Sequence, residues 1–571
     1  MCSIDENKEQ VGWQVSVESA WQHRRETIPR EWQLPTSIMQ TLAFPLDKCG
    51  NNLSAMSIPQ NSGILSIREL MITEELTVKE LLAQLSSGEI SSLEVTLAFS
   101  KRAALAQQLT SCLTETLFDE ALARAKYLDQ WRSDGNPLAP LHGLPVSLKD
   151  GFQIIGTEAS IGFVSFLGKK SVSNSPLTEI LLELGAVLYV KTNIPQTLMT
   201  ADTDNNIFGR TLNPRNTLLT AGGSSGGEGA LIAFRGSPLG IGTDIAGSVR
   251  IPASCCGLYG FKPTSCRIPY GGQVAPSLPG CKPVTASAGP LAHDLESLSI
   301  LMSAVIGAKP AAFDSTAIDT PWRHVERDIR SVLRIGLLEE DHLYPFHPPM
   351  IRALKEAAQR LQAEGHEVIR LSSDEGGVSD ASQIIGGLFN LHSETSMEYI
   401  RSSGEPLVPC VAKALQKTNS SSNKFTSDLD GLDLTRKYAA LTVRRHEFAE
   451  KWRKLWLEKG IDAVLGPSAQ TTAIPHDSWI WSPYTSILNL LDYSLKQYPA
   501  CVMPFGQVSK CDFETMEIAE EQTCLNYNPD NLEGMPCSIQ VFTNRMRDEE
   551  CLKIAGVIDD CLKRRSGYES T

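Results

Sequence analysis

A glycine-rich segment in the first half of the chain constrains the fold more than any other part of the sequence. Residues 222–229 read GGSSGGEG, and the apolar run 230–234 follows directly. So much glycine before a helical pattern indicates special backbone conformations or a close approach between chain segments. A helix beginning there would also offer free N–H groups to an anion. A flexible Gly/Ser loop is the alternative that the segment alone leaves open.

A second serine flanked by small residues follows at Ser248. Its surroundings read GTDIAGSVRIP at residues 242–252, so small side chains directly precede the serine. Consecutive backbone N–H groups can then turn toward one point, which is what an oxyanion hole requires. The pattern indicates a site that stabilises negative charge on an oxygen atom.

A lysine ends a strand-like apolar run in the segment PVSLKD at residues 145–150. If Lys149 is buried, it loses basicity, because removal from water disfavours the charged ammonium form. A neutral lysine amine can act as a general base. Considered alone, such a residue is more often a surface lysine at a strand end.

The three segments together resemble the amidase signature family, whose members use an unusual Ser, cis-Ser, Lys catalytic set. The matching residues are VSLK at 146–149, GGSSGGEGAL at 222–231, and GTDI and GSVRIP within 242–252. The similarity continues through TNIPQ at 192–196, FGRTLNP at 208–214, CGLYGFKPT at 256–264 and GMP at 534–536. The N-terminal segment 21–34, with IPREW at 28–32, resembles the acetamidase-like general amidases of fungi.

The resemblance implies a role for each serine and for the lysine. Ser248 would attack the amide carbonyl and become the acyl-enzyme, while Lys149 takes a proton through the hydroxyl of Ser224. The peptide bond before Ser224 is cis in relatives. The oxyanion donors that the resemblance implies are the backbone N–H groups of Ile245, Ala246, Gly247 and Ser248.

The same resemblance implies supporting and substrate-binding residues. Alanine at position 246 departs from the family, where glycine is usual, and its Cβ would penalise a positive φ. Leu198, with its neighbours Thr197 and Met199, is expected at the substrate pocket, although an ordinary core position fits Leu198 equally well. The residues expected to support the site without reacting are Ser225, Asp244 and Arg250, the last two as an ion pair.

The remaining sequence pattern indicates an α/β fold. Short apolar runs at 144–148, 186–190 and 239–242 alternate with helical stretches such as 178–184, as in layered α/β proteins. The resemblance implies the amidase signature fold, a single large domain with a mixed twisted β-sheet covered by α-helices. We expect this domain at residues 64–571, and an N-terminal helical arm and surface connection at residues 1–63.

Local signals mark several helix ends in the first part of the chain. Thr77 and Ser91 each begin the pattern S/T-x-x-E ahead of an apolar-periodic run, which predicts capping boxes and two helix starts. Gly88 is expected to end the first of these helices. A helix is also predicted over residues 17–32, closed by proline.

Charge and composition exclude several partners. The formal net charge of −14 and the absence of Lys/Arg runs weigh against binding of nucleic acid. No basic segment followed by an apolar stretch opens the chain, and no run of about 18 uncharged apolar residues occurs. We therefore expect a cytoplasmic protein without a membrane span, metal or cofactor, whose partner is a small-molecule amide. Relatives commonly form homodimers, so a homodimer also remains open.

Three alternatives remain beside the amidase interpretation. The segment GGSSG also satisfies G-x-S-x-G, the nucleophile elbow of α/β-hydrolase esterases, with Ser224 as nucleophile. That motif needs a preceding strand, and residues 211–221 are a poor strand candidate. The other two are the amidase subunit of a transfer-RNA-dependent amidotransferase and a catalytically silent binding protein of the same fold.

Overall fold

A mixed β-sheet of eleven strands organises the computed structural model. The structure describes residues 12–278, 280–325, 331–391, 393–420, 427–479, 481–491, 498–512, 522, 527 and 529–564. The strands are β1 (Leu113–Thr116), β2 (Pro145–Lys149), β3 (Val187–Thr192), β4 (Leu212–Asn213), β5 (Asn216–Thr220), β6 (Leu239–Asp244), β7 (Tyr259–Lys262), β8 (Ser287–Ala292), β9 (Arg334–Leu338), β10 (Glu367–Leu371), β11 (Ala463–Pro467), β12 (Ala500–Gln507) and β13 (Pro536–Phe542).

The strands of the main sheet follow the order β1-β3-β2-β6-β8-β7-β12-β13-β11-β9-β10. Strands β3, β2 and β6 are mutually parallel at one end, as are β10, β9 and β11 at the other. Antiparallel pairs join these two groups through β8, β7, β12 and β13. The sheet is therefore mixed, as the sequence analysis expects.

Nineteen α-helices accompany the sheet in the described ranges. They are α1 (Gly12–Glu26), α2 (Thr36–Met39), α3 (Ile58–Asn61), α4 (Ile67–Glu74), α5 (Val78–Ser87), α6 (Ser92–Thr110), α7 (Phe118–Ser133), α8 (Pro176–Glu183), α9 (Gly226–Ala233), α10 (Arg250–Cys256), α11 (Leu295–Gly307), α12 (Pro348–Ala363), α13 (Ser373–Gly376), α14 (Val378–Asn390), α15 (Ser393–Ser403), α16 (Pro409–Ser420), α17 (Leu434–Lys459), α18 (Pro483–Leu490) and α19 (Asp548–Lys563). None of the described helices is both long and apolar enough to cross a membrane.

Burial of the central strands explains their composition. Every residue of β2, β3, β6, β11 and β13 is buried. Strands covered on both faces read as continuous apolar runs instead of alternating patterns. Any polar side chain in such a strand needs a partner inside the protein. The polar residues of β2 and β6 are therefore the natural place to search for a site.

The capping predictions are confirmed. The side chains of Thr77 and Ser91 accept hydrogen bonds from the N–H groups of Glu80 and Glu94, and both glutamates bond back to the capping residue. Gly88 ends α5 with φ +79°, a left-handed conformation that glycine adopts without a Cβ penalty. These boundaries depend on local chemistry, which is why the sequence predicts them well.

The N-terminal segment packs on the main core. The helix predicted over residues 17–32 is α1, which ends at Glu26, followed by a 3-10 turn at Arg30–Trp32. Trp32 is buried and packs edge-on against Phe118, with 5.3 Å between ring centroids. The buried side chains of Leu53 and Ile58 belong to the same hydrophobic core. The domain division at residue 63 stays a prediction.

One secondary-structure expectation is wrong. Residues 211–221 do contain strands, because β4 and β5 pair as an antiparallel hairpin. The run of Thr217, Leu218, Leu219 and Thr220 has enough β-branched and apolar side chains to extend, and Pro214 lies in the turn. The hairpin forms its own two-stranded sheet, separate from the main one.

The buried sheet makes a clear stability prediction. Leu465 on β11 is fully buried, whereas Leu457 on α17 is 68% exposed. Leu465→Ala is expected to lower the free energy of unfolding by about 2–5 kcal/mol, because it leaves a cavity in the core. The matched control Leu457→Ala should change it by less than about 0.5 kcal/mol. Urea unfolding of both variants measures the difference, and equal effects would contradict this core assignment.

Candidate active site

The glycine-rich segment owes its composition to close packing. It joins β5 to α9, and the peptide bond between Gly223 and Ser224 is cis. A Cβ on Gly223 would lie 2.5 Å from the carbonyl oxygen of Thr200, and one on Gly227 would lie 2.3 Å from the backbone nitrogen of Asn193. Larger residues would push these segments apart. Residues 222–225 form a packed loop and residues 226–229 begin α9, so the flexible-loop alternative is wrong.

Lys149 reaches this loop from the end of β2. Its side chain is buried, and its Nζ donates hydrogen bonds to the Oγ of Ser224 and the Oγ1 of Thr243, both at 2.8 Å. Thr243 lies on β6, which is the parallel neighbour of β2. Strand pairing thus brings the lysine and the threonine together, and the loop adds the serine.

Burial changes the acidity of the lysine. Removal from water lowers the pKa of Lys149 to about 7, against the opposing pull of Asp244, Glu228 and Asp150. A lysine with such a pKa is neutral in a large fraction of molecules near neutral pH. Its amine can then accept a proton from the hydroxyl that it contacts.

Asp244 and Arg250 form a fully buried ion pair next to the two serines. The Nε and Nη2 atoms of Arg250 lie 3.0 and 2.9 Å from the two carboxylate oxygens. Burial raises the pKa of Asp244, but the charge and hydrogen bonds of Arg250 outweigh it and lower that pKa to about 2. Asn489 and Gln540 also bond to this pair. The predicted ion pair is present, and it anchors the Ser248 loop.

Ser225 connects the two serine-bearing loops. Its backbone N–H donates to the carbonyl oxygen of Ser248 at 3.2 Å. Its Oγ contacts both the carbonyl oxygen and the N–H of Thr243, each at 3.3 Å. Ser225 therefore links the loops that carry Ser224 and Ser248, and its supporting role in the site stays a prediction.

The four predicted oxyanion donors differ in their hydrogen bonds. The N–H of Gly247 donates to the Oδ1 of Asp244 at 2.9 Å, and its role as an oxyanion donor stays a prediction. Among the described residues, no acceptor takes the N–H groups of Ile245, Ala246 and Ser248. Gly247 has another function, because its φ of +125° requires glycine and a Cβ would lie 2.3 Å from the Oγ1 of Thr485.

The alanine at position 246 is accommodated without strain. Ala246 is not among the residues with positive φ, so its Cβ carries no conformational penalty there. Its carbonyl oxygen accepts a hydrogen bond from the Oγ1 of Thr485 at 2.6 Å. The departure from the usual glycine therefore leaves the loop intact.

A small cavity opens on these loops. It is lined by Ser248, Ile245 and Ala246 from the predicted set, by Leu198 and Met199 as expected, and by Thr200, Ala201, Gly223, Ile251, Phe389, Trp479, Trp481 and Ser482. Its volume of about 40 Å³ exceeds the roughly 10–15 Å³ that one buried water needs by the same measure. The cavity therefore has room for more than one water-sized group.

The aromatic wall of the cavity is not visible in the sequence motifs. Phe389 lies in α14, and Trp479 and Trp481 precede α18, far along the chain from both serines. Phe389 and Trp481 pack edge-on, with 6.2 Å between ring centroids. For Trp479 and Trp481, the only signal in the sequence is tryptophan in a region without a known motif. Phe389 has no such signal. Of the residues described, no three His, Cys, Asp or Glu side chains are arranged to hold a metal ion.

Comparison with known proteins decides the family. The amidase family model matches residues 94–552. An amidase from Gibberella moniliformis is 35% identical over 557 residues, covering 97% of this chain and 99% of the relative. An acetamidase from Emericella nidulans is 37% identical, covering 94% and 96%. The chain belongs to the amidase family.

Solved structures agree with the amidase fold. A fatty acid amide hydrolase superposes with a TM-score of 0.86 at 31% identity, covering 97% of this chain and 95% of that one. A second structure, described as an amidase, is 22% identical with a TM-score of 0.66, and it supports the fold alone. The expected α/β amidase signature fold is confirmed.

The nucleophile-elbow alternative fits this amidase less well. Strand β5 and helix α9 do flank Ser224, as the elbow motif requires. However, β5 belongs to the separate hairpin, whereas the elbow of an α/β-hydrolase follows a strand of the central sheet. The hydroxyl of Ser224 also contacts a lysine, where the elbow mechanism needs a histidine.

Substitution of the two small residues before Ser248 should affect kcat to very different extents. Gly247→Ala introduces a Cβ at positive φ and against Thr485, so it should displace the loop N–H groups. Loss of one oxyanion donor costs about 10²–10³-fold in kcat, and we expect kcat on an amide substrate to fall by a similar factor. Ala246→Gly should stay within about threefold of the wild type. A tolerated Gly247→Ala would contradict this account of the loop.

Proposed function

We propose that the amidase hydrolyses the C–N bond of a small, neutral carboxylic amide through an acyl-enzyme on Ser248. The observation that carries the proposal is the 2.8 Å hydrogen bond between the Nζ of buried Lys149 and the Oγ of Ser224. Gly223, the residue before Ser224, lines the same cavity as Ser248. A weakly basic lysine, a relay hydroxyl and a cavity-facing nucleophile are the groups that amide hydrolysis needs.

Activation of the nucleophile moves one proton along the relay. The Oγ of Ser248 bonds to the substrate carbonyl carbon while its proton passes to the Oγ of Ser224. The proton of Ser224 passes in turn to the neutral amine of Lys149, which becomes an ammonium. Thr243 keeps the lysine aligned through its hydrogen bond at 2.8 Å.

Collapse of the tetrahedral intermediate uses the same relay in reverse. The C–N bond breaks as Ser224 protonates the leaving nitrogen and regains a proton from Lys149, since an unprotonated amide anion is a very poor leaving group. Water then attacks the ester, and its proton follows the same route. The Ser248 oxygen leaves as a hydroxyl, giving the carboxylic acid and ammonia or an amine.

The N–H groups of Ile245, Ala246 and Ser248 would stabilise the oxyanion. They belong to one turn that follows β6, and they have no acceptor within the described ranges. One such donor contributes about 3 kcal/mol to the stabilisation of the transition state. The buried Asp244–Arg250 pair keeps this turn in place without touching the substrate cavity.

The cavity supports a small, uncharged acyl group. None of its lining side chains is ionisable in the ordinary pH range, and three are aromatic. A charged acyl group would lose its hydration without gaining a partner, which is costly. The name acetamidase, given to a relative at 37% identity, points in the same direction.

A fluorophosphonate probe tests the nucleophile and its base. The probe should label the wild type and the control Ser254→Ala, whose hydroxyl bonds to Ser468 away from the cavity. Ser248→Ala should abolish labelling, and Lys149→Met should lower kcat/KM for an amide by at least about 10³-fold. The remote control Lys101→Ala should remain active, because that lysine pairs with Glu69.

Each alternative makes a different prediction in the same experiment. Labelling that persists in Ser248→Ala and disappears in Ser224→Ala would favour the esterase elbow. A wild type that neither reacts with the probe nor hydrolyses any amide would favour a silent binding protein. Hydrolysis by the isolated chain without RNA would exclude a requirement for a transfer-RNA-dependent partner.

An amide panel tests the substrate class. We expect kcat/KM for acetamide or propionamide to exceed that for a negatively charged amide by on the order of 100-fold. Phe389→Ala should raise the kcat/KM ratio of hexanamide to acetamide by about tenfold, because it opens the aromatic wall. The control Phe44→Ala, at a site that is 48% exposed, should leave the ratio unchanged. Equal rates across the panel would contradict the small neutral pocket.

A further inference from the structure

A buried glutamate lies under the active site without a role in the proton relay. Glu228 is in α9, one helical turn beyond Ser224, and its side chain is fully buried. Its Oε2 accepts a hydrogen bond from the Oγ of Ser147 at 2.6 Å, and its Oε1 accepts one from the Oγ1 of Thr192 at 2.8 Å. Isolated carboxylates are rarely buried so completely, because desolvation is costly.

The two partners of Glu228 are the neighbours of Lys149 in the sheet. Ser147 precedes the lysine by two positions on β2, so both side chains leave the same face of the strand. Thr192 on β3 is the residue paired with Lys149 across the two strands. The carboxylate of Glu228 is therefore fixed by the residues that flank the lysine on two sides.

The neighbouring strand leaves room for the carboxylate. Gly240 on β6 faces it, and a Cβ at that position would lie 2.0 Å from the Oε2 of Glu228 and 2.5 Å from the Oγ of Ser147. Any other residue at position 240 would displace this pair. Three adjacent strands thus form a closed site for one carboxyl group among the sheet neighbours of the lysine.

Glu228 is also the available charge partner of Lys149. Three carboxylates act on this lysine, namely Asp244, Glu228 and Asp150. Asp244 already forms its ion pair with Arg250, and Asp150 lies 3.8 Å from the buried Lys191. Within the described part of the chain, Glu228 forms no ion pair with a cation of its own.

We propose that Glu228 is a positioning residue of the amidase reaction, whose buried carboxyl group, held by the sheet neighbours of Lys149, acts on that lysine through its negative charge. The proposal rests on the proposed function of Lys149 as the base. Glu228 itself does not line the substrate cavity, and its hydrogen bonds go to Ser147 and Thr192, not to Ser224 or Ser248. It acts through the charge and the position of the lysine.

The titratable groups around Glu228 are consistent with this coupling. Burial raises the pKa of Glu228 to about 7, while bonds from Ser147 and Thr192 and the charge of Lys149 lower it. Cys112 and Tyr189 also face the carboxylate, and burial raises the pKa of Cys112 to about 12 and that of Tyr189 above its usual range. Both are therefore neutral near pH 7, so Lys149 is the cation to which Glu228 responds.

The sign of the effect follows from the charges. Lys149 must be neutral to act as a base, so kcat/KM should fall as the pH falls through the pKa of the lysine. The negative charge of Glu228 favours the ammonium form and raises that pKa. Removing the charge should therefore move the acidic limb of the pH profile to lower pH.

The test compares pH profiles of kcat/KM for acetamide in the wild type and Glu228→Gln. Glutamine can still bond to both hydroxyls, so we expect an active enzyme whose acidic limb lies about one pH unit lower, as for loss of a nearby opposite charge. Glu228→Asp, which keeps the charge, should retain the wild-type limb even if kcat falls. The pH dependence of fluorophosphonate labelling should shift in parallel, because it reports activation of Ser248 directly.

Two controls make the result specific. Glu69→Gln removes a largely buried carboxylate that pairs with Lys101, away from the active site. The acidic limb of the pH profile of this variant should not move. If Glu228→Gln does not fold, as judged by circular dichroism, Thr192→Val removes one hydrogen bond to the carboxylate. Without that bond the uncharged form of Glu228 is favoured. The acidic limb of the kcat/KM profile should therefore move to lower pH, by a smaller amount than in Glu228→Gln.

The outcomes separate this inference from the proposed function. An active Glu228→Gln with an unmoved limb, or equal shifts in Glu228→Gln and Glu69→Gln, would overturn the role of Glu228 and leave Ser248 and Lys149 in place. If Glu228→Gln does not fold, an unmoved limb in Thr192→Val would overturn it equally. A wild type without labelling or hydrolysis would instead refute the proposed function.

Discussion

The burial of one lysine amine is the constraint on which the rest of this site depends. An ammonium group inside a protein loses its hydration, so its pKa falls unless charge or hydrogen bonds compensate. Here the hydroxyls of Ser224 and Thr243 accept hydrogen bonds from Lys149 at 2.8 Å. The surrounding carboxylates oppose the effect of burial, so the pKa of Lys149 falls only to about 7. A residue that would be an inert cation at the surface becomes a usable base at neutral pH.

The surroundings of the lysine explain why the loops are so rigid. Ser225 links the two serine loops, Arg250 holds Asp244, and Asp244 in turn holds the backbone of Gly247. Polar networks of this kind specify one arrangement when every member is satisfied. Backbone and side-chain hydrogen bonds therefore hold the Ser248 loop, while the cavity that Ser248 lines is largely apolar.

The sequence predicted the parts of the site that lie within contiguous motifs. Lys149, Ser224 and Ser248 could be named because their three segments together resemble the amidase signature family, whereas each segment alone had an ordinary alternative. The engaged N–H of Gly247 could not be predicted, since it depends on where the Asp244 side chain turns. Phe389 and Trp481 come from distant segments without motifs, and tertiary packing alone brings them to the cavity. The β4–β5 hairpin was missed because its strands are short, their facing ends are asparagine, and proline lies in the turn between them.

The buried Lys149 and Glu228 also destabilise the folded state. The unfolded chain ionises both groups at pH 7, whereas burial lowers the pKa of the lysine to about 7 and raises that of the glutamate to about 7. The destabilisation caused by Glu228 grows as the pH rises from the pKa of glutamate in the unfolded chain toward 7. The destabilisation caused by Lys149 decreases as the pH rises from 7 toward the pKa of lysine in the unfolded chain. Their combined opposition to folding is therefore greatest near neutrality, where the base is most useful, and the large apolar core must offset it.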